Sequence, residues 1–219
     1  MSELKIKAAK AALSFIEDDM IVGIGSGSTV SYFITELATI KHRIDACVAS
    51  SKETEGLLRA KGIPVIDLNS VQDLPIYIDS ADEITSHGEM IKGGGGAHTR
   101  EKIIANVAKH FICIIDDSKL VNHLGEFPIA VEVLPLARSF VARRLVQLGG
   151  DPQYREGFVT DNGNIIIDVF NLIINTPIAL ENNINSIPGV VDNGLFANRL
   201  ANTVLMASSE KVERIHLNN

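Results

Sequence analysis

The chain has 219 residues, of which 46% are hydrophobic and 21% are charged, and its formal net charge at pH 7 is −7. This composition is typical of a globular protein with a sizeable core. Lysine and arginine never form a run of more than two residues, so the clustered basic surface that binds duplex nucleic acid or an anionic membrane is missing. We expect neither kind of partner.

The N-terminal segment, SELKIKAAKAALSFI, has apolar residues at helical spacing behind a candidate N-cap, Ser2. It is charged and lacks a signal-peptide core, and no apolar stretch reaches the roughly 18 residues that a membrane span needs. Cys47 and Cys113 lie in apolar runs, and two cysteines form neither a disulfide framework nor a zinc-site spacing. We therefore expect buried free thiols and a cytoplasmic protein.

Extended and helical patterns alternate through the first 120 residues. After the first helix we predict, in chain order, strand MIVGIG, helix VSYFITELATI, strand IDACVAS, helix ETEGLLRAKG, strand PVIDL, strand LPIYIDSA, helix TREKIIANVAKH and strand FICIIDD. Buried apolar strands interleaved with helices indicate a mostly parallel sheet covered on both faces. The fold class is therefore α/β, with a Rossmann-like sheet domain.

The rhythm changes from about residue 128. The predicted elements are strand IAVEVLP, helix LARSFVARRLVQLGG, strands PQYREGFVT and NIIIDVFNLII around the turn DNGN, helix PIALENNINSIPG and strand VVDNGLFA. The order βαββαβ is that of a ferredoxin-like α+β module. The tail TVLMASSEKVERI is too short to fold alone, so we predict one domain from 1–127 plus 198–219 and a second, smaller domain from 128–197.

The segment GIGSGST, residues 23–29, follows the first predicted strand. Ligands of open parallel sheets bind beyond the carboxyl ends of the strands, and N–H groups at a helix N-terminus suit an anion. Hydroxyls of Ser26, Ser28 and Thr29 add donors. The segment matches neither a Walker A loop nor G-x-G-x-x-G, which favours a small phosphomonoester over a dinucleotide. A tight turn with a helix cap is the alternative.

Polar residues also follow two later strands. In YIDSADEI, Asp79 and Asp82 suit hydroxyl recognition, acid–base chemistry or a hard cation, with an Asx turn of solvated carboxylates as the alternative. In FICIIDDSK, Lys119 follows the strand end, where it either holds an anionic or hydroxyl group or lies on the surface.

In IKGGGGAHTREK, Lys92 precedes four glycines and a helix start. Glycine adopts φ > 0 and lets a ligand lie directly on the backbone. Glu101 falls in the first helical turn, where the helix macrodipole favours a carboxylate. A capping box with Thr99 or a surface ion pair is the alternative for Glu101, and we expect His98 to be exposed to solvent at the helix start.

Two other kinds of site are not predicted. The six histidines show no H-x-x-x-H spacing, and the one H-x-E, at His87 and Glu89, stands without such a partner, so we assign no metal site. No G-x-S-x-G segment occurs, which argues against an α/β-hydrolase. The residues by themselves indicate an α/β protein that binds a small phosphate compound.

Taken together, GIGSGST, YIDSADE, MIKGGGGAHTREK and FICIIDDSK closely resemble, in order and spacing, the ribose-5-phosphate isomerases of the A type. The likeness continues through FPIAVEVLPLARSFVARRLVQLGG, VTDNGNIIIDV and IPGVVDNGLFA. It implies interconversion of D-ribose 5-phosphate and D-ribulose 5-phosphate through an enediolate, in the non-oxidative pentose phosphate pathway, without cofactor or metal. It also implies a homodimer, with a homotetramer as the alternative.

The resemblance assigns roles to individual positions. Glu101 would be the general base, Asp79 would help to open the sugar ring, and Lys92 would hold substrate oxygens at C1 and C2 together with the glycine backbone. The implied substrate-binding residues are Lys5, Ser26, Gly27, Ser28, Thr29, Asp79, Ser80, Ala81, Asp82, Lys92, Gly93, Gly94, Gly95 and Lys119.

Two positions depart from the family pattern, Ser80 in place of a glycine and His98 in place of a smaller or apolar residue. Both bear on substrate contacts rather than on the proton chemistry. Three other functions remain as alternatives. A sugar-phosphate deaminase would release ammonia, and a CoA transferase would form a thioester on its glutamate. A sugar-phosphate sensor without activity usually carries a helix-turn-helix, which we do not expect in this chain.

Overall fold

The structure is a computed structural model that describes residues 2–217. Its α-helices are α1 Ser2–Ala12, α2 Ser28–Leu37, α3 Lys52–Ala60, α4 His98–Val107, α5 Arg138–Gln147 and α6 Pro177–Asn185. Its strands are β1 Met20–Ile24, β2 Ile44–Ala49, β3 Ile76–Asp79, β4 Glu83–Ile84, β5 Met90–Ile91, β6 His110–Asp116, β7 Ile129–Val133, β8 Asp151–Tyr154, β9 Ile165–Phe170, β10 Val190–Asn193, β11 Leu195–Phe196, β12 Thr203–Ala207 and β13 Val212–His216. None of the helices within residues 2–217 is long and apolar enough to cross a membrane.

The largest sheet has six strands in the order β13-β12-β6-β3-β1-β2. All of its neighbouring strands are parallel except β12 and β13. Its strands are apolar on both faces because helices cover them, and Ile24, Phe33, Ile78 and Ile114 are buried in one core. The predicted α/β class with a mostly parallel sheet is confirmed.

The second large sheet has four antiparallel strands in the order β10-β7-β9-β8. With α5 and α6 the chain order is βαββαβ, which confirms the predicted ferredoxin-like module. Its core includes Val131, Val141, Ile167 and Ile184. A third, small sheet joins β11, β5 and β4.

The chain divides into two compact units. Unit 1 comprises the residues up to Ala81, Arg100–Lys119 and the residues from Ala201 on, and unit 2 comprises Asp82–Thr99 and Leu120–Leu200. The C-terminal strands β12 and β13 complete the six-stranded sheet of unit 1. The domain bounds 1–127 plus 198–219 and 128–197 stay a prediction for the parts that fold independently.

Three predicted strands differ in the structure, and one of them, PQYREGFVT, is a strand only as far as Tyr154 in β8. PVIDL forms only a single bridge, between Val65 and Cys47. Asp67 accepts a hydrogen bond from the Asn69 N–H (2.7 Å) and thereby starts a 3-10 turn in place of a longer strand. VVDNGLFA forms two strands, β10 and β11, which are separated at Gly194.

Both cysteines are buried free thiols, as predicted. Burial raises the pKa of Cys47 to about 12. Because the thiolate is the reactive form of cysteine, Cys47 is a core residue rather than a nucleophile.

Candidate active site

The loop between β1 and α2 in unit 1 has the features of an anion site. Gly27 has φ 91°, in the left-handed region that favours glycine, and α2 begins at the next residue. Lys5 reaches this helix start from α1, and its Nζ donates a 2.8 Å hydrogen bond to Ser28 Oγ. The arrangement combines an ammonium group, a hydroxyl and the N-terminal amides of α2, which together suit a phosphate.

Asp79 ends β3 and is fully buried, so the alternative of a solvated carboxylate is wrong. It accepts hydrogen bonds from the hydroxyl of Tyr77, the N–H of Ser26 (3.1 Å) and the N–H of Ser80 (2.7 Å). A Cβ on Gly25 would lie 2.0 Å from the Asp79 carboxylate carbon. The carboxylate therefore lies directly against the Gly25 backbone, and only glycine fits there.

The phenol of Tyr77 is buried beside two carboxylates. Burial, reinforced by the negative charges of Asp79 and Glu101, raises the pKa of Tyr77 well above its usual value. Tyr77 therefore keeps its proton and remains a donor to Asp79.

Glu101 lies in the first turn of α4 and is only 3% exposed, which rules out the alternative of a surface ion pair. Its Oε1 accepts a 2.5 Å hydrogen bond from the hydroxyl of Ser26. Since the Ser26 N–H bonds Asp79, one serine connects both carboxylates. Unit 1 thus brings together two of the predicted catalytic residues and the predicted phosphate loop.

In unit 2, two residues of the glycine run, Gly93 and Gly96, have backbone conformations that favour glycine. Gly93 has φ 108° and Gly96 has φ 76°. A Cβ on Gly93 would lie 2.9 Å from the Ala130 Cβ and from Nδ1 of His98. The N–H of Gly94 donates a 3.0 Å hydrogen bond to Oδ2 of Asp82.

Lys92 is buried at the start of this run. Its N–H donates to the Gly194 carbonyl (2.9 Å), and a Cβ on Gly194 would lie 2.1 Å from the Lys92 carbonyl oxygen. Its Nζ lies 5.6 Å from the ring centroid of Phe196. Gly194 is therefore the residue that allows this close approach, which explains why the predicted strand breaks there.

The remaining predicted residues lie at different depths. Lys119 is partly exposed in the 3-10 turn Asp117–Lys119 that follows β6, Thr29 is buried in α2, and Ala81 is buried. The predicted residues in unit 1 are Lys5, Ser26, Gly27, Ser28, Thr29, Asp79, Ser80, Ala81, Glu101 and Lys119, and those in unit 2 are Asp82, Lys92, Gly93, Gly94 and Gly95. Among residues 2–217, no group of three or more histidine, cysteine or acidic side chains is arranged to hold a metal ion.

Comparison with known proteins decides the family. Residues 46–211 match the family model for ribose 5-phosphate isomerase A (phosphoriboisomerase A). The chain belongs to the ribose-5-phosphate isomerase A family. It is therefore an isomerase.

Individual relatives of this family are similar over nearly their whole length. A ribose-5-phosphate isomerase A of Legionella pneumophila is 73% identical over 215 residues, which cover 98% of this chain and 100% of the relative. The crystal structure of ribose 5-phosphate isomerase A from Neisseria gonorrhoeae is 43% identical with a TM-score of 0.96, over 100% of this chain and 98% of the other. The corresponding structure from Methanocaldococcus jannaschii is 41% identical with a TM-score of 0.93, over 98% of each chain.

The two departures from the pattern of the ribose-5-phosphate isomerase A family have structural explanations. Among the described non-glycine residues only Asp19 and Asn171 have positive φ, so the backbone at Ser80 accepts any residue. His98 is fully buried against Gly93, which corrects the expectation that it is exposed.

Sequence reasoning missed a buried carboxylate in this family member, Glu132 in β7. It accepts hydrogen bonds from Thr99 Oγ1 (2.5 Å), Thr160 Oγ1 (2.8 Å), Asn164 Nδ2 (2.8 Å) and Asn162 Nδ2 (3.1 Å). Burial by itself raises the pKa of Glu132, but these donors outweigh it and the net pKa is lowered. The sequence feature that could have indicated Glu132 is a charged residue inside the otherwise apolar strand IAVEV.

Two further residues were missed. Tyr77 lies two residues before Asp79 in β3, so both side chains project from the same face of the strand, and that spacing was a usable signal. Arg155, which follows β8, donates to carbonyl oxygens of the glycine run. Nothing in PQYREGF indicated such a contact.

Proposed function

We propose that the chain interconverts D-ribose 5-phosphate and D-ribulose 5-phosphate through an enediolate, with Glu101 as the proton carrier. The observation that carries the proposal is the buried carboxylate of Glu101, held at 2.5 Å by a serine that also bonds Asp79. A base held in this way is preorganised before substrate binds. Membership of the ribose-5-phosphate isomerase A family supports the choice of sugar phosphate.

The phosphate of the substrate is assigned to Ser26, Gly27, Ser28, Thr29 and Lys5. The hydrogen bond between Lys5 and Ser28 supports this role, because it places a positive charge beside the first turn of α2. Lys119 is assigned a further contact with the substrate. These groups bind the unreactive end of the sugar and fix its position.

The reacting end needs a proton transfer between neighbouring carbons. Glu101 removes the proton from C2 of the open-chain aldose, a proton passes from O2 to O1, and Glu101 returns its proton to C1. Asp79, which Tyr77 holds in place, is assigned to ring opening and, with Ser80, Ala81 and Asp82, to the sugar hydroxyls. No electron leaves the substrate, so no redox cofactor is required.

The enediolate carries negative charge on oxygen and needs donors that are already in place. We assign this role to Lys92 and to the backbone N–H groups of Gly93–Gly95. A solved D-ribose-5-phosphate isomerase, 37% identical with a TM-score of 0.92, is in complex with phospho-erythronic acid. That acid carries a phosphate and a carboxylate, and a carboxylate is planar and anionic, as an enediolate is. This chemistry supports a site for such an anion.

The setting of the activity is also proposed. The chain acts in the non-oxidative pentose phosphate pathway, in the cytoplasm, as a homodimer, with a homotetramer as the alternative. Light scattering on the eluting protein measures the mass of the assembly and separates these states from a monomer.

The decisive experiment adds D-ribose 5-phosphate to purified, metal-stripped protein and follows D-ribulose 5-phosphate by NMR in deuterated water. We expect both conversion and incorporation of deuterium at the exchanged carbon. Release of ammonia from an amino sugar phosphate would identify a deaminase, and trapping of a glutamyl thioester by hydroxylamine would identify a CoA transferase. Binding of ribose 5-phosphate without turnover would overturn the proposal in favour of a sensor.

A further inference from the structure

Arg155 and Asp168 form a fixed pair in unit 2. The side chains are 19% and 16% exposed, Arg155 Nε donates to Asp168 Oδ2 at 2.8 Å, and Nη2 donates to Oδ1 at 2.5 Å. The guanidinium carbon also lies 5.3 Å from the ring centroid of Phe158. A two-point hydrogen bond combined with an aromatic contact fixes the plane of the guanidinium group.

The same guanidinium group donates to the glycine run. Nη1 bonds the carbonyl oxygen of Gly94 at 3.2 Å, and Nη2 bonds that of Gly93 at 3.3 Å. A trans peptide unit is planar, so its N–H points opposite to its C=O. Holding the Gly93 and Gly94 carbonyls therefore sets the directions of the N–H groups of Gly94 and Gly95.

The hydrogen bond of the Gly94 N–H shows on which side of the peptide the amide hydrogen lies. It bonds Oδ2 of Asp82 at 3.0 Å, on the side of the peptide opposite to Arg155. Gly94 and Gly95 are both exposed, and a Cβ added to Gly94 would lie 3.0 Å from the Phe127 ring and 3.1 Å from Oδ1 of Asp82, so these two side chains flank Gly94. Glycine backbones are the least restricted of all, and a donor pair for an anion is effective only when its orientation is set in advance.

We infer that Arg155, held by Asp168, is a positioning residue that orients and polarises the Gly95 amide as a donor to the negative oxygen of the enediolate, while the Gly94 amide is held by Asp82. The inference rests on the proposed function. The positive charge beside the two carbonyl oxygens draws electron density from each amide and strengthens its N–H as a donor. Arg155 acts through the backbone, and its own side chain need not contact the sugar.

The test compares Arg155→Gln, Arg155→Lys and Asp168→Asn with wild type. We expect kcat to fall about 10- to 100-fold in Arg155→Gln, below the roughly 10²–10³-fold cost of losing an oxyanion donor outright. Arg155→Lys keeps the positive charge but loses the planar guanidinium group. Asp168→Asn keeps the guanidinium group but no longer holds it in place. In both variants kcat should therefore fall less than in Arg155→Gln. KM for ribose 5-phosphate should stay within about two-fold, because ground-state binding is not the affected step.

Binding measurements separate positioning from a merely structural role. Affinity for phospho-erythronic acid should fall by the same factor as kcat/KM, while inhibition by inorganic phosphate stays unchanged. Guanidinium chloride at millimolar concentration should partly restore Arg155→Ala. The control is Arg138→Gln, since Arg138 also lies over an aromatic ring, that of Tyr154 at 5.0 Å, but has an exposed side chain.

Each other outcome overturns the inference. Wild-type kcat/KM in Arg155→Gln, or an equal loss of affinity for phosphate and for the acid, would show that Arg155 does not act on the enediolate donors. A loss that only follows the folded fraction, measured by circular dichroism, would show a structural role. A wild-type chain that does not isomerise ribose 5-phosphate would refute the proposed function itself, which is a separate result.

Discussion

The hydroxyl of Ser26 donates a 2.5 Å hydrogen bond to Oε1 of Glu101, although 75 residues separate them in the chain. The loop after β1 is thereby tied to the first turn of α4. The orientation of the proposed base is thus set by the protein before any sugar binds, and a change at the Glu101 end of this contact should affect catalysis more than substrate affinity.

Replacing Glu101 with Gln should abolish most of the activity. The substitution keeps the size and removes the basicity, and loss of a general base typically costs about 10²–10⁴-fold. One residue serves both proton transfers, so we expect the upper end of that range for kcat. Exchange of the C2 proton with deuterated water should stop, while substrate still binds.

The control for this variant is Glu53→Gln, an exposed glutamate in the first turn of α3. It should retain full activity. Exchange at a near wild-type rate in Glu101→Gln would show that another residue is the base, and Asp79 or Asp82 would be examined next.

Replacing Lys5 with Met should raise KM for ribose 5-phosphate with little change in kcat, since a phosphate contact is equally strong in the ground state and the transition state. Steady-state kinetics at low and high salt measure the effect, which should shrink as salt screens the charge. Lys7→Met is the matched control, because Lys7 lies in the same helix but its Nζ bonds the Ser209 carbonyl (2.8 Å) instead of the start of α2. It should leave KM unchanged. A collapse of kcat at unchanged KM in Lys5→Met would contradict the phosphate role.

Gly25→Ala should inactivate the protein. The new Cβ would lie 2.0 Å from the carbon and from Oδ1 of the Asp79 carboxylate, so that side chain must move. Displacement of a catalytic group by about 1 Å can cost 10²-fold, and we expect kcat/KM to fall at least that far. Gly56→Ala, at a helical glycine with nothing within 4 Å of the added Cβ, should leave activity intact and stabilise α3 slightly. Equal activities of the two variants would refute a role for Asp79.

Glu132→Gln should reduce the free energy of unfolding by about 2–4 kcal/mol at pH 7, because it removes a buried charge that several donors face. The folded-state pKa of Glu132 is lowered, so its contribution is complete above the unfolded-state pKa of about 4.3 and is lost as pH falls through the folded value. The gap between wild type and variant in urea unfolding should therefore narrow below about pH 4. Glu126→Gln, at an exposed position in unit 2, should unfold with the same free energy as wild type. If the difference in free energy between wild type and Glu132→Gln stays constant at all pH values, the charge effect is disproved.

Exhaustive dialysis against EDTA should leave the isomerase activity unchanged, because the proposed enediolate donors are Lys92 and backbone amides. The measurement is the rate before and after dialysis, with metal content checked by mass spectrometry. Activity that disappears and returns with Mg²⁺ or Zn²⁺ would require Asp79, Asp82 and Glu83 to be reconsidered as ligands.

The sequence by itself determined the elements with strong local signals. Apolar strands that alternate with helices predicted the parallel sheet, and the order βαββαβ predicted the second module. Glu101 and Asp79 could be singled out because each follows a glycine-rich or apolar segment at a strand or helix end. PVIDL was misread because the local preference for an extended chain does not reveal that Asp67 begins a turn.

Tertiary structure decided which of these residues meet. Ser26 connects Glu101 with Asp79, and Arg155 holds the carbonyls of Gly93 and Gly94 across more than 60 positions of the chain. Periodicity and capping describe neighbours within a few residues, whereas a hydrogen bond of 2.5–3.3 Å between distant residues depends on how strands and loops are placed in space. The physical reason is that orientation at a site comes from long-range packing, which the local pattern of a sequence does not encode.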